Sequence, residues 1–211
     1  MSVTIDYYLA PASPWTYLGH RRFSRILNDR GAQVRLVPVD LGGKIFPATG
    51  GLPVGQRSAQ RQAYRLLELK RFSQHLKIPL NIKPKFFPVD ADLAAKLIIA
   101  IQAKEGPNVA MQLLETILTS VWAEEQNIAD PQQLGTLLLK LGVHDNIKEL
   151  TCHEWVQEEY DQNTNEAIEL GVFGSPSYVL RGEIFWGQDR LDFLDMSLAD
   201  GILNKIDKGT I

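Results

Sequence analysis

The sequence predicts an α/β fold of order βαβ…ββα with an all-helical block inserted between its two halves, and three observations predict it. Val3 to Leu9 is an apolar, β-branched and aromatic run that stops at Pro11 and passes through Ser13-Pro14 into a helical pattern. Asp90 to about Leu170 reads almost wholly as helix. From Ser177 onward the pattern reverts to strands, two short runs flanking the turn pair Arg181-Gly182.

Taken in order, residues 3–9 read as a buried strand and 14–30 as a helix. Trp15, Leu18, Phe23, Ile26 and Leu27 form its apolar stripe, and Gly31 ends it. Gln33 to Asp40 is a second strand, with Val34, Leu36, Val37 and Val39 apolar. Because a helix joins the two strands, they are expected to run parallel through a right-handed crossover. Leu41 to Gly55 holds five glycines and two prolines and is expected to be a long loop. A helical pattern fills 56–77, and 78–88, with three prolines, reads as an extended connector.

Four further helices are expected, at 91–105, 108–126, 132–141 and 152–170, with Gly106-Pro107, Asp130-Pro131, Gly142 and Gly171 as punctuation. The hairpin Ser177–Leu180 and Glu183–Trp186 follows, and Gly187 to Arg190 leads into a last helix over 190–206. The expected organisation is therefore an α/β domain made of 1–55 and 171–211, with 56–170 as a helical subdomain inserted in it.

A chain of 211 residues with 45% hydrophobic and 22% charged content can bury a substantial core. Its net charge of −3 supplies no field to recruit nucleic acid or anionic membrane, so neither partner is expected. One local cluster, Arg57, Arg61, Arg65, Lys70 and Arg71, sits at helical spacing and reads as a solvated face. The single cysteine, Cys152, cannot close an internal disulfide, and the start of the chain lacks a secretory pattern, so a cytoplasmic location is expected. No apolar run approaches the roughly 18 residues that would suggest a membrane span.

The chemistry concentrates at the two junctions of the α/β part. Ser13-Pro14 is a favoured helix-start pair, a capping serine followed by a proline at the first helical position. It also lies at the end of the first strand of a βα unit, the edge where open α/β sheets collect ligands. Cysteines at the two ends of a Cys-x-x-Cys stretch at such a helix start would carry dithiol exchange, but the four positions read Ser13-Pro14-Trp15-Thr16, which excludes it. What remains is a hydroxyl at the positive end of a helix dipole, suited to an anion such as another molecule's thiolate.

Pro176, in Gly174-Ser175-Pro176-Ser177, either marks the start of a strand in the trans form or is cis. Asp189 reads as a cap for the last helix, as a ligand for an amino group, or as both. His20, His75, His144 and His153 lack partners at metal-ligand spacing, and no metal is expected. Gly-x-Ser-x-Gly, P-loop and Gly-x-Gly-x-x-Gly motifs are absent. His20 lies nearly two helical turns from Ser13, so a hydrolase triad built on that pair is excluded.

Ser13-Pro14-Trp15-Thr16-Tyr17-Leu18, Ile78-Pro79-Leu80, Gly171-Val172-Phe173-Gly174-Ser175-Pro176 and Phe185-Trp186-Gly187-Gln188-Asp189-Arg190-Leu191 together resemble the 2-hydroxychromene-2-carboxylate isomerase family. That family is related to kappa-class glutathione transferases and to the DsbA-like thioredoxin branch, and the resemblance runs through the chain in order. It implies a thioredoxin-like fold with a cis Pro176 facing the first helix, and glutathione as cofactor. It implies further that Ser13 donates to the glutathione thiolate, that the Ser175 backbone pairs with the cysteinyl main chain, that Gln188 and Asp189 hold the γ-glutamyl end, and that Arg61 lies near the glycyl carboxylate.

The implied reaction is cis/trans isomerisation of a small-molecule intermediate of aromatic degradation by reversible thiolate addition. A homodimer is an expectation of the resemblance alone. Two other readings are compatible with the sequence. One is a kappa-like glutathione transferase or peroxidase using the same serine. The other is a non-catalytic thioredoxin-fold module that holds extended peptides, against which the presence of both Arg61 and Asp189 speaks.

Overall fold

The structure is a computed structural model that describes residues 3–199. Four strands form one sheet: β1 (Thr4–Leu9), β2 (Gln33–Pro38), β3 (Ser177–Leu180) and β4 (Glu183–Trp186), in the order β2-β1-β3-β4. β1 and β2 are parallel, as expected of a βαβ unit, with Tyr7 opposite Leu36. β3 runs antiparallel to β1, with Tyr7 opposite Tyr178, and β4 antiparallel to β3. The helices are α1 (Pro14–Arg30), α2 (Phe46–Thr49), α3 (Ala59–Leu76), α4 (Asp92–Glu105), α5 (Pro107–Trp122), α6 (Pro131–Lys140), α7 (Ile147–Thr151), α8 (Glu154–Leu170) and α9 (Leu191–Ala199).

Alternation along the strands sends side chains to two separate cores. Ile5, Tyr7, Leu9, Leu36 and Tyr178 face one way and join Leu18 and Phe23 of α1 with the stripes of α4, α5 and α6, all in one cluster. Tyr8, Val37 and Val179 face the other way, against Ala167 of α8 and Ile45. The sheet is thus a middle layer covered on both faces. Its β2 edge is closed by Gln102 of α4, whose side-chain amide accepts from the Leu36 N–H (2.7 Å) and donates to the Leu36 carbonyl (2.9 Å), as a neighbouring strand would. Arg35 of β2 binds Asp6 of β1 and Glu166 of α8, and the Tyr8 hydroxyl donates to Glu166 at 2.7 Å, so α8 is pinned across the strands.

Several sequence expectations are corrected. Leu41 to Gly55 is not a structureless loop. The Asp40 carboxylate accepts from the Gly43 N–H (2.7 Å) and opens a wide helical turn over Leu41–Ile45, which runs into α2 and stops at Gly50, φ 77°. Pro47 fits because the first turn of a helix needs no N–H there, and buried Ile45 anchors the segment to the sheet. α5 ends at Trp122 rather than 126, and α7, capped by Asn146, precedes α8. The chain re-enters helix at Leu191. Of the expected 190–206 helix, the part beyond 199 lies outside the described residues.

Among the described residues, no helix is long and apolar enough to cross a membrane, and no group of three or more His, Cys, Asp or Glu could hold a metal ion. Cys152 is free and exposed.

His20 is buried (2% exposed) on the core side of α1, its Nε2 3.1 Å from the Met111 carbonyl oxygen and its Nδ1 3.5 Å from the Tyr7 hydroxyl. Burial pushes its pKa down from 6.5 to about 4, against the opposing pull of Glu115. Between those values the unfolded chain binds a proton that the folded chain refuses. Stability is therefore expected to fall by about 3 kcal/mol as pH drops from 6.5 to 4. His20→Gln should flatten that part of the pH–stability curve in denaturant titrations.

Candidate active site

The site is built where β1 ends, α1 begins and the chain enters β3. Ser13 is the N-cap of α1. Its backbone is extended (φ −74°, ψ 125°), its Oγ accepts the Thr16 N–H at 3.3 Å, and Pro14 follows at the first helical position. The cap read from the sequence is present. Its hydroxyl proton is used elsewhere: Ser13 donates to the Ser175 carbonyl oxygen at 3.1 Å, across 162 residues of sequence.

Ser175 precedes Pro176, and the bond between them is cis. The Ser175 Oγ accepts from the Ala10 N–H at 2.8 Å and lies 2.9 Å from Thr16 Oγ1, so its side chain ties the strand end to the first turn of α1. Ser13, Thr16 and Ser175 are all buried. On the far side of Pro176, its carbonyl accepts from the Gly187 N–H at 2.8 Å. That bond draws the Gln188–Asp189 turn toward the start of β3. Gly174 lets the Trp186 indole lie close over the backbone; a Cβ there would force that half-exposed side chain to shift.

The six residues singled out from the sequence are placed unequally. Ser13, Ser175 and Pro176 meet directly at the α1 N-terminus. Asp189 is exposed and pairs with its neighbour Arg190 at 2.7 Å; Gly187 precedes the short turn, so Asp189 is not the cap that the sequence suggested. Gln188 is 1% exposed, and neither atom of its side-chain amide has a partner. It packs against Gly19 of α1, where a Cβ would stand 2.9 Å from the Gln188 Cβ. Its carbonyl accepts from Arg22 at 3.3 Å. Arg61 is exposed in the first turn of α3, which Ser58 caps.

The arginine cluster is the main correction. Arg61, Lys70 and Arg71 are exposed as expected of a solvated face, but Arg65 is buried with Leu69 one helical turn on. Its guanidinium carbon lies 5.2 Å from the centre of the Phe87 ring and 5.9 Å from that of Trp122. The Trp122 indole in turn donates to the Ala12 carbonyl at 3.3 Å, beside Ser13. Burial lowers the Arg65 pKa to about 10, and the nearby positive charge of Arg57 adds to the effect. The spacing of Arg65, Leu69 and Phe72 on one helical face was the signal available for this. Thr16 was also missed as a site residue; nothing in its spacing announces a partner in Ser175.

The family model of the DSBA-like thioredoxin domain matches residues 4–199. The 2-hydroxychromene-2-carboxylate isomerase of Pseudomonas putida is 29% identical over 199 residues, covering 92% of this chain and 94% of that protein. The protein of the same name from Sphingobium xenophagum is 26% identical over 201 residues, covering 95% of this chain and all of its own. Among solved structures, a 2-hydroxychromene-2-carboxylate isomerase superposes with a TM-score of 0.78 at 25% identity, covering 93% of this chain and 95% of that one.

Ser175→Ala is expected to lower stability by about 2–3 kcal/mol, since it strands the Ala10 N–H and the Thr16 hydroxyl in a buried setting. Ser177→Ala, which removes a single bond to the Gly174 carbonyl (2.8 Å), should cost less. Denaturant midpoints of the two variants compare them directly; equal losses would contradict the central place given to Ser175.

Proposed function

We propose that this chain, which belongs to the DSBA-like thioredoxin domain family, is a glutathione-dependent cis/trans isomerase of the 2-hydroxychromene-2-carboxylate isomerase type. Three relatives of that name, aligned over 92–96% of the chain, support the reaction class. The observation that carries the cofactor reading is Ser13, a buried hydroxyl at the N-terminus of a 17-residue helix, opposite a cis proline and without a neighbouring cysteine.

The donor set suits glutathione. The Ser175–Pro176 segment offers backbone beside Ser13 for the cysteinyl residue. Asp189 offers an exposed carboxylate for the γ-glutamyl amine, which would share it with or displace Arg190, next to the buried, unpartnered amide of Gln188 in sequence, and exposed Arg61 offers a cation for the glycyl carboxylate. Glutathione held there would supply a thiolate that adds reversibly to a conjugated carbon, so that a former double bond can rotate before elimination restores it.

Ser13 holds the proton that matters. Its Oγ is positioned by the Thr16 N–H, and its O–H is spent on the Ser175 carbonyl at 3.1 Å, a neutral bond. Rotation about the Cβ–Oγ bond frees that O–H for an anion without disturbing the cap. A charge-assisted bond is roughly twice as strong as a neutral one, and the α1 dipole favours the same anion. Both effects lower the pKa of a thiol placed there. Residues 10–16 need no movement, because Ser175 Oγ fastens them independently of Ser13.

The test is to incubate the purified protein with glutathione and 2-hydroxychromene-2-carboxylate and to follow the isomer ratio by chromatography. Conversion is expected only with glutathione, with glutathione recovered unchanged. Ser13→Ala should lower kcat/KM by about 10- to 100-fold, the loss of one charge-assisted hydrogen bond. Conversion independent of glutathione, or a Ser13→Ala variant as fast as the parent, would overturn the proposal.

A further inference from the structure

Arg65 is the charged member of a small set of buried polar side chains without a hydrogen-bond partner; Ser120, Tyr178 and Gln188, the others among the described residues, are neutral. Only 8% of the residue reaches solvent, its Nη2 is buried without a partner, and among the described residues no carboxylate forms an ion pair with it. The one charge that acts on it is the like charge of Arg57, itself half-buried and bonded through Nε to the Leu52 carbonyl at 2.8 Å. Burying an unpaired cation is costly, and an apolar side chain of similar length at this stripe position would avoid the cost. The folded chain therefore holds a cation ready for an anion that it does not itself contain.

The geometry narrows what that anion is. Phe87 and Trp122 both lie within cation–π range of the guanidinium. A guanidinium's N–H groups lie in its own plane and fit two oxygens side by side, which is the shape of a carboxylate. Aromatic neighbours around the charge favour a flat, apolar body attached to that carboxylate. The site is also close to Ser13: Trp122 bridges from Arg65 to the Ala12 carbonyl, and Trp15 of α1 meets Phe72 of α3 edge-on, with ring centres 6.0 Å apart.

We propose that Arg65 receives the carboxylate of a planar aromatic acid and so orients the acceptor beside Ser13. The anion site stands on Arg65 alone; its place in the reaction rests on the isomerase reading above. Arg57 contributes long-range attraction, and Arg65 makes the contact.

The experiment titrates the full chain by calorimetry, without glutathione, with chromone-2-carboxylate and separately with chromone-2-carboxamide, which keeps the shape and removes the charge. The parent is expected to bind the acid at least about tenfold more tightly than the amide, and Arg65→Met to bind both alike. Arg65→Met should also melt at or above the parent's temperature, since it removes an unpaired buried charge. A purely structural arginine predicts the reverse, a lower melting temperature with the preference intact.

Failure of the parent to bind the acid, equal binding of acid and amide by the parent, or a preference that survives Arg65→Met each overturns the proposal. Should Arg65→Met fold poorly, the parent's acid-to-amide ratio and Arg65→Lys, which keeps charge but loses the paired donors, decide it: a lysine variant that matches the parent contradicts a guanidinium-specific site. The two readings fail separately. An acid preference with no isomerisation sinks the isomerase reading and leaves the anion site, whereas isomerisation without the preference does the opposite.

Discussion

The structure depends on the bonds that converge on Ser175. Its Oγ meets the Ala10 N–H and the Thr16 hydroxyl, and its carbonyl takes the Ser13 proton. These bonds join the end of β1, the start of α1 and the cis Ser175–Pro176 segment, which come from opposite ends of the chain. A buried polar group is costly unless it is paired, and these bonds pair all three buried hydroxyls of the site. The same bonds divide labour within the site. Ser175 holds the backbone in place, which leaves the Ser13 proton as the exchangeable element.

Around that junction, the strands and the helices share a core. α4 and α5 bury their stripes in the core beneath the β1–β2–β3 face, and α8 covers the reverse face through Ala167, with the Arg35–Glu166 pair at its flank. The helical region also delivers side chains to the site, since Trp122 at the end of α5 and Phe87 in the proline-rich connector frame Arg65, and the Trp122 indole donates to the Ala12 carbonyl. The site thus has a hydroxyl side, set by the sheet, and a cationic aromatic side, set by the helices.

Much of this was legible in the sequence where local signals are strong. Ser13-Pro14 where the first strand breaks, the glycine that stops α1 and Gly182 of the hairpin turn are residues whose backbone preferences leave little choice. The cis form of Pro176 was not legible from the residue alone; the order of elements raised it and the resemblance implied it. What escaped needed a partner distant in sequence. Thr16 is an ordinary helical threonine until Ser175 stands over it, and Arg65 looks like part of a basic face until Phe87, from a segment with no regular pattern, closes on it. The Leu41–Gly55 stretch misled because Gly42, Gly43 and Pro47 fit helical turns once Asp40 caps the first and Ile45 anchors it to the sheet, which leaves only 51–53 irregular.

The central claim is that Ser13, at the start of α1, stabilises a borrowed thiolate. The most direct measurement is the ultraviolet thiolate absorbance of glutathione bound to the protein as a function of pH, in the parent and in Ser13→Ala. The account predicts a bound thiol that ionises well below the ordinary range for a free thiol, with the midpoint moving up by about one to two pH units in Ser13→Ala. A bound thiol that stays protonated at neutral pH, or a midpoint that Ser13→Ala leaves in place, would contradict it.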